Sequence, residues 1–438
     1  MNILSKIVDC RSIFLILFCL SCAPVRYHKD ISEYRGEINK LEAKLKVNPE
    51  DAEALRDLGV IYFETAQYPL AKDYLQKAYV QNPEDPKTMF YLGMTLEFRN
   101  ENQEALKIHE RYIEVSRLSP YRRLMEGRYR RLSRDFIRQE IRTLLQQEQQ
   151  LSEDRMAPKT IAVFPLTYQG KAKKFAPLGR GLSEMIIIDL GQVRELNLLE
   201  RIRLQTLLQE LELAQTEIVD KQSAPRVGKL LGAGRIIAGS FNVLKKSQLQ
   251  VEVLSWDIIN RNFPDAVSQI DALKNLFKME KELVFDVIEK IGIELTPQER
   301  ERIQRIPTQN MQAFLAYCNG LEKEDAGQFE AAAKFYQQAL KLDPNFKPAQ
   351  IKAEAAESFS QAGGSSEEVV EQIAKIEGKE APPTGSSKDL VNARLENLGN
   401  NVGSNFTPGQ DSRKSTEEAE TSGADLGELP EPPPPPQQ

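Results

Sequence analysis

Two histidines, one tryptophan and four cysteines among 438 residues leave little from which to build a catalytic or metal site. A zinc site needs Cys and His at short spacing, and His28 and His109 have no such neighbours. His109 sits at a helix packing position. No phosphate loop or nucleophile elbow occurs. Gly179-x-Gly181 lacks the third glycine of a dinucleotide loop, and Gly232-x-Gly234 precedes a strand where that motif should follow one. Both pairs predict tight turns. Glu200-Arg201 closes a short strand and reads as a structural ion pair, because a permanent cation is a poor neighbour for a general acid. The sequence therefore nominates no catalytic, cofactor-binding or metal-ligating residue, and an enzyme is not expected.

An excess of one charge is also missing. Lys and Arg number 58 against 64 Asp and Glu, a net charge of -6, which gives no global reason to expect nucleic acid. The apolar run near the N-terminus, Ser12 to Leu20, is too short to span a bilayer comfortably and fits the core of a signal peptide behind Lys6 and Arg11. It ends in Cys19-Leu20-Ser21-Cys22, which resembles the bacterial lipobox, although that family prefers Leu where Cys19 stands. The resemblance implies a signal peptide over 1–21, lipidation of Cys22 and a tether over 22–30; an ordinary signal peptide or an uncleaved anchor is the alternative. Ala23 stands where many inner-membrane lipoproteins carry Asp, which favours the outer membrane. Once Cys10 and Cys19 leave with the signal and Cys22 is lipidated, Cys318 remains as the one free thiol. No intramolecular disulfide then forms, and Cys318 reads as core filler in a helix.

What the chain does have is periodicity. Ile31, Tyr34, Ile38, Leu41 and Leu45 mark one apolar helical stripe, a leading helix that covers the first repeat. Asn48-Pro49 then recurs as Asn82-Pro83, Leu58-Gly59 as Leu92-Gly93, and Ala71 as Ala105, a period of 34 residues. These units resemble tetratricopeptide repeats, pairs of helices that stack into a solenoid and present a concave face. The second copy is degenerate, with Tyr112 and Arg117 where the family prefers Ala and Pro. A third unit follows downstream, with Gly320, Ala332, Ala339 and Pro344 in register and departures at Asn319 and Lys323. The repeats assign 31–119 and 307–362.

Between them, 120–157 reads as a basic connecting helix carrying eight arginines from Arg122 to Arg142. A solvated helix is the expectation; a face for anionic lipid or nucleic acid is the alternative. From 158 to 306 strands alternate with helices and end in a hairpin, a mixed α/β sheet. The segments Ile161-Ala162-Val163-Phe164-Pro165, Gly179-Arg180-Gly181-Leu182, Leu199-Glu200-Arg201, Leu230-Leu231-Gly232-Ala233 and Gly239-Ser240 occur in order, with Glu294 to Arg300 after them. Together they resemble the CsgG/HfaB family, whose domain looks like the N-terminal domain of TolB and like LpoB. That resemblance implies an envelope lipoprotein that assembles with other envelope proteins, and it leaves homo-oligomers through the CsgG-like domain open. The final stretch, 363–438, is rich in Ser, Gly, Glu and Pro and reads as a disordered tail, with a turn or two of transient helix near Val369 to Ile376 and near Leu390 to Leu398.

The fold class expected is thus α+β multidomain: a tetratricopeptide-repeat helical solenoid, a CsgG-like mixed α/β sheet domain and a disordered C-terminal tail. By correspondence with the repeat family, Arg56, Val60, Phe63, Phe90, Met94, Glu97 and Phe98 set the inner face of the first two repeats. Exposed Phe and Met beside charges would suit a short helix or an extended peptide. The same face could instead pack against the protein's own basic helix or α/β domain. The expected function is a lipid-anchored envelope adaptor binding proteins or peptides, without nucleic acid or cofactor; the alternative is a subunit of a curli-type secretion system. The short connections over 242–247 and 260–262 leave no room for membrane-crossing hairpins, which need strands of about 9–11 residues.

Overall fold

A computed structural model describes residues 30–211, 223–260 and 265–378. They fall into two compact units, divided between Glu101 and Asn102, with the segment from Ser366 returning to the first.

The first unit opens with α1 (Arg35–Val47), α2 (Ala52–Glu64), α3 (Tyr68–Gln81) and α4 (Pro86–Phe98). Of the leading stripe, Leu41 is buried and Tyr34, Ile38 and Leu45 are half-buried, while Ile31 is exposed. α1 packs on α2, as expected of a cap. Asp51 and Asp85 start α2 and α4 by accepting hydrogen bonds from the amides of Ala54 and Thr88. Asn48 and Asn82 accept from the amides of Glu50 and Glu84, so both repeats are entered through the same side-chain-closed turn.

The second unit holds α5 (Asn102–Glu110), α6 (Pro120–Gln146), β1 (Ala157–Val163), β2 (Thr167–Tyr168), α7 (Leu178–Leu190), β3 (Asn197–Leu198) and α8 (Arg201–Glu210). There follow α9 (Ser223–Leu231), β4 (Ala233–Leu244), β5 (Gln248–Asp257), β6 (Asp265–Ala272), α10 (Leu276–Ile291) and α11 (Pro297–Gln304). The third repeat supplies α12 (Met311–Asp325), α13 (Phe329–Leu342) and α14 (Lys347–Ala362). The sheet runs β3-β1-β4-β5-β6: β1 lies parallel to β3 and β4, β5 antiparallel to β4 and β6, and β2 adds a short parallel pair to β4. Alternate side chains face opposite layers. Ile161, Val163, Ile237 and Val253 meet α7 and α10, and that core continues without a break into Phe314, Tyr317 and Tyr336 of the third repeat. Ala162, Phe164, Ile236 and Trp256 meet α8, α9 and the last turns of α6.

Two expectations change here. α6 is not a solvated connector: Leu124, Met125, Gly127, Arg128, Leu132, Ile137 and Ile141 are buried, and it packs along α14. Its arginines are committed locally, Arg128 and Arg131 donating to the carbonyls of Gly364 and Gly363, and Arg130 and Arg142 pairing with Glu126 and Glu210. Gly179 and Gly181 lie inside α7, not in a turn. A side chain at Gly179 would strike the Leu166 carbonyl, and one at Gly181 would strike Cys318, so both are small because other elements come close. Cys318 is accordingly buried core, against α7, and burial pushes its thiol well above the usual range.

The last described helix, α15 (Ser366–Ile376), belongs to the first unit. Within the stretch expected to be disordered from 363, the turn or two expected near Val369 to Ile376 is a docked helix of three turns with Val369 and Ile373 buried. The apolar pair is enough to dock a short helix against an existing surface, although too little to hold one alone. The rest of the tail, 379–438, lies outside the described residues, as do the signal sequence, Cys22 and His28.

Candidate functional site

The seven inner-face residues sit on α2 and α4. Arg56 is half-buried, its Nε donating to Asp57 at 2.9 Å and its guanidinium 3.6 Å from Asp85, the cap of α4. Val60, Phe63, Phe90, Met94 and Glu97 are buried and Phe98 is half-buried. The exposure expected of these Phe and Met side chains is not found. Phe63 makes edge contacts with Tyr91 and Phe98, with ring centroids 5.3 and 5.6 Å apart, and Phe98 stacks on Tyr68 at 4.8 Å. α4 is buried on every face from Thr88 to Glu97.

α15 packs against α4. Ser366 Oγ donates to Glu97 Oε2 at 3.4 Å, and Lys87 Nζ lies 3.5 Å from Glu377 Oε1. The start of α15 is therefore at the end of α4 and its end near the start, so the helices run antiparallel. Burial first, and then the charge of Glu367, raise the Tyr68 phenol to about 12.

A second site lies wholly in the second unit. A cavity of about 480 Å³ opens where α6, α7, α8, α12 and α14 meet. Arg201, the first residue of α8, pairs with Glu184 at 3.2 Å, Glu324 at 3.3 Å and Asp325. Its partner is thus not Glu200, as adjacency in sequence suggested. Lys352 lies 3.4 and 3.3 Å from Glu184 and Glu324, and Tyr336 donates to Glu324 at 2.5 Å. Burial works to raise the Glu324 carboxyl, yet Lys352 and Arg201 prevail and hold it at about 2. Arg134 lies over the rings of Phe329 and Phe359, 4.6 and 5.4 Å from their centroids, and burial lowers its affinity for the proton. Glu184, Glu324 and Asp325 of this cluster are all ion-paired, which suits them to joining the sheet to the third repeat and not to general acid–base work. Among the described residues no group of three His, Cys, Asp or Glu is placed to hold a metal ion.

Residues 139–248, from the last turns of α6 to the start of β5, match the family model of the curli production assembly/transport component CsgG. The chain thus carries a CsgG-like segment beside tetratricopeptide-like helices, with a mixed sheet between helical repeats. No curated protein matches it. Among solved structures, the LpoB C-terminal domain from Salmonella enterica is 12% identical and is covered over 95% of its length by 31% of this chain, with a TM-score of 0.23. A tetratricopeptide repeat protein from Parabacteroides merdae is also 12% identical, with 79% of this chain and 90% of that one covered and a TM-score of 0.21. Scores that low carry no weight for fold or function.

The sequence reading missed α15 as a partner of the inner face, although Val369 and Ile373, four apart behind Glu367 and Glu368, are the spacing of an amphipathic helix. It also missed the Arg201 cluster, for which nothing local signals a partner 124 residues away.

Proposed function

We propose that this protein is a lipid-anchored adaptor of the bacterial cell envelope, held to the outer membrane by Cys22, facing the periplasm and binding envelope proteins or peptides. The observation that carries this reading is the CsgG-like segment, built into one core with a tetratricopeptide-like helix pair. Helical repeats and sheet offer surface, and the arginines of α6 are committed within the fold. Among the described residues no helix is long and apolar enough to cross a membrane. A single acyl chain binds membranes marginally; a lipoprotein carries three by family precedent. The experiment is metabolic palmitate labelling with fractionation. Wild-type protein should label and sediment with membranes, while Cys22→Ser should do neither. A labelled, membrane-bound Cys22→Ser protein contradicts the anchor.

The description of the matched family favours a second reading, a subunit of a curli-type secretion or assembly system that self-associates through the CsgG-like domain. A pore needs long alternating hairpins, and β4 and β5 are joined by only Lys245–Ser247. Under the adaptor reading, purified protein in a planar bilayer gives no discrete conductance steps; stable ion-conducting rings favour the second reading.

A further inference from the structure

We propose that α15 is an internal ligand of the repeat face on α4, and that the partner which replaces it presents an amphipathic helix of the same pattern. The inference rests on reading the protein as a protein-binding adaptor, and it names the chemistry of the partner: two β-branched apolar residues four apart, preceded by acidic residues.

The attachment of α15 has the form of a docked ligand. Its apolar contribution to the unit is a single stripe, Val369 and Ile373, with Val370 and Ile376 half-buried beside it. Polar contacts fix each end, Ser366 on Glu97 and Glu377 on Lys87, and their spacing fixes its direction along α4. Both are long for their type, at 3.4 and 3.5 Å. Glycines bound the segment, Gly363 and Gly364 before it and Gly378, at φ 67°, after it. At 11 residues the helix is shorter than the roughly 12–15 residues that an isolated helix needs in water, so release and unfolding coincide. The chain thus keeps its own inner face covered by a short helix whose fully buried stripe is two residues. A competing helix of longer or more apolar stripe displaces it, and the α15 segment then joins the chain that follows.

The test uses the full-length protein and a fluorescent peptide of its own residues 365–378, so it needs no partner and stands apart from any failure to find one in cells. V369D/I373D in the full chain should release α15 and leave the face open. The peptide should then bind this variant at least tenfold more tightly than wild type, by fluorescence anisotropy, and a peptide with the same two Asp changes should bind neither. Equal binding to both proteins, or to neither, overturns the proposal. Should V369D/I373D fail to fold, hydrogen exchange on wild type decides the matter. Amides of α15 opening at least a hundredfold more often than those of α2 and α4 support an exchangeable ligand, and equal protection makes α15 a fixed part of the core.

Discussion

Gly127 in α6 faces the carbonyl of Ser358 in α14 with no space between them for a side chain. The two helices approach at backbone distance there, and Ala362 closes the other side. Gly127→Ala must therefore push the helices apart, and overpacking of this kind costs about 1–3 kcal/mol. Urea unfolding should show that loss. Gly36→Ala, in α1 with nothing within 4 Å of where the added Cβ would sit, should instead gain about 0.5–1 kcal/mol.

The repeats predict a pair of opposite effects. Ala66 and Asn100, 34 residues apart, adopt left-handed backbone with φ of 58° and 60°, and Gly327 occupies the same turn in the third repeat at 75°. In each case the next residue's amide reaches back five residues, as Gln67 to Tyr62, Glu101 to Leu96 and Gln328 to Lys323. Since a side chain in that conformation costs roughly 1–2 kcal/mol, Gly327→Ala should lower the melting temperature. Ala66→Gly should raise it slightly, the relief being partly offset by the entropy of a free glycine.

Phe63 and Phe90 belong to the core of the first unit. Truncating either to Ala should cost about 3–5 kcal/mol by chemical denaturation. Retained stability in both variants would return these rings to the surface role that the repeat correspondence suggested.

Two carboxylates set opposite pH trends. Glu324 is held at about 2 against an ordinary 4.5, so its pairing stabilises the fold above pH 4.5 and is lost as the pH falls toward 2. The loss is at most on the order of 3 kcal/mol, and Glu324→Gln should remove that acid-side slope. Glu280, enclosed beside Asp189 and Lys281, is pushed well above 4.5 by burial and then by the Asp189 charge. It stays protonated in the fold while the unfolded chain ionises, so its effect turns against folding as the pH rises above 4.5. Glu280→Gln should lessen the fall in stability as the pH rises above 4.5, measured by urea midpoints at each pH.

Local periodicity made the repeats and the sheet legible. Gly59 and Gly320 each stand where a side chain would strike the residue sixteen positions on, Leu75 and Tyr336, so the same helix-pair contact is written twice in the sequence. The continuous apolar run of Ile161, Ala162, Val163 and Phe164 similarly marked a strand buried on both faces, with Ile161 and Val163 in one layer and Ala162 and Phe164 in the other. Contacts between distant segments left no such mark. The arginines of α6 look solvated in sequence because Gly363 and Gly364, whose carbonyls accept from Arg131, lie more than 230 positions away. The inner face on α2 and α4 looks open for the same reason, since α15 follows α4 by over 260 residues.

The central claim is that the first unit binds another envelope protein at a face its own α15 covers. The most direct measurement replaces Arg56, half-buried on α2, with a photo-crosslinking residue in living cells, in wild type and in V369D/I373D. A crosslink to a second envelope protein that strengthens when α15 is released is the predicted result. Crosslinks within the chain alone, unchanged between the two, would contradict the account.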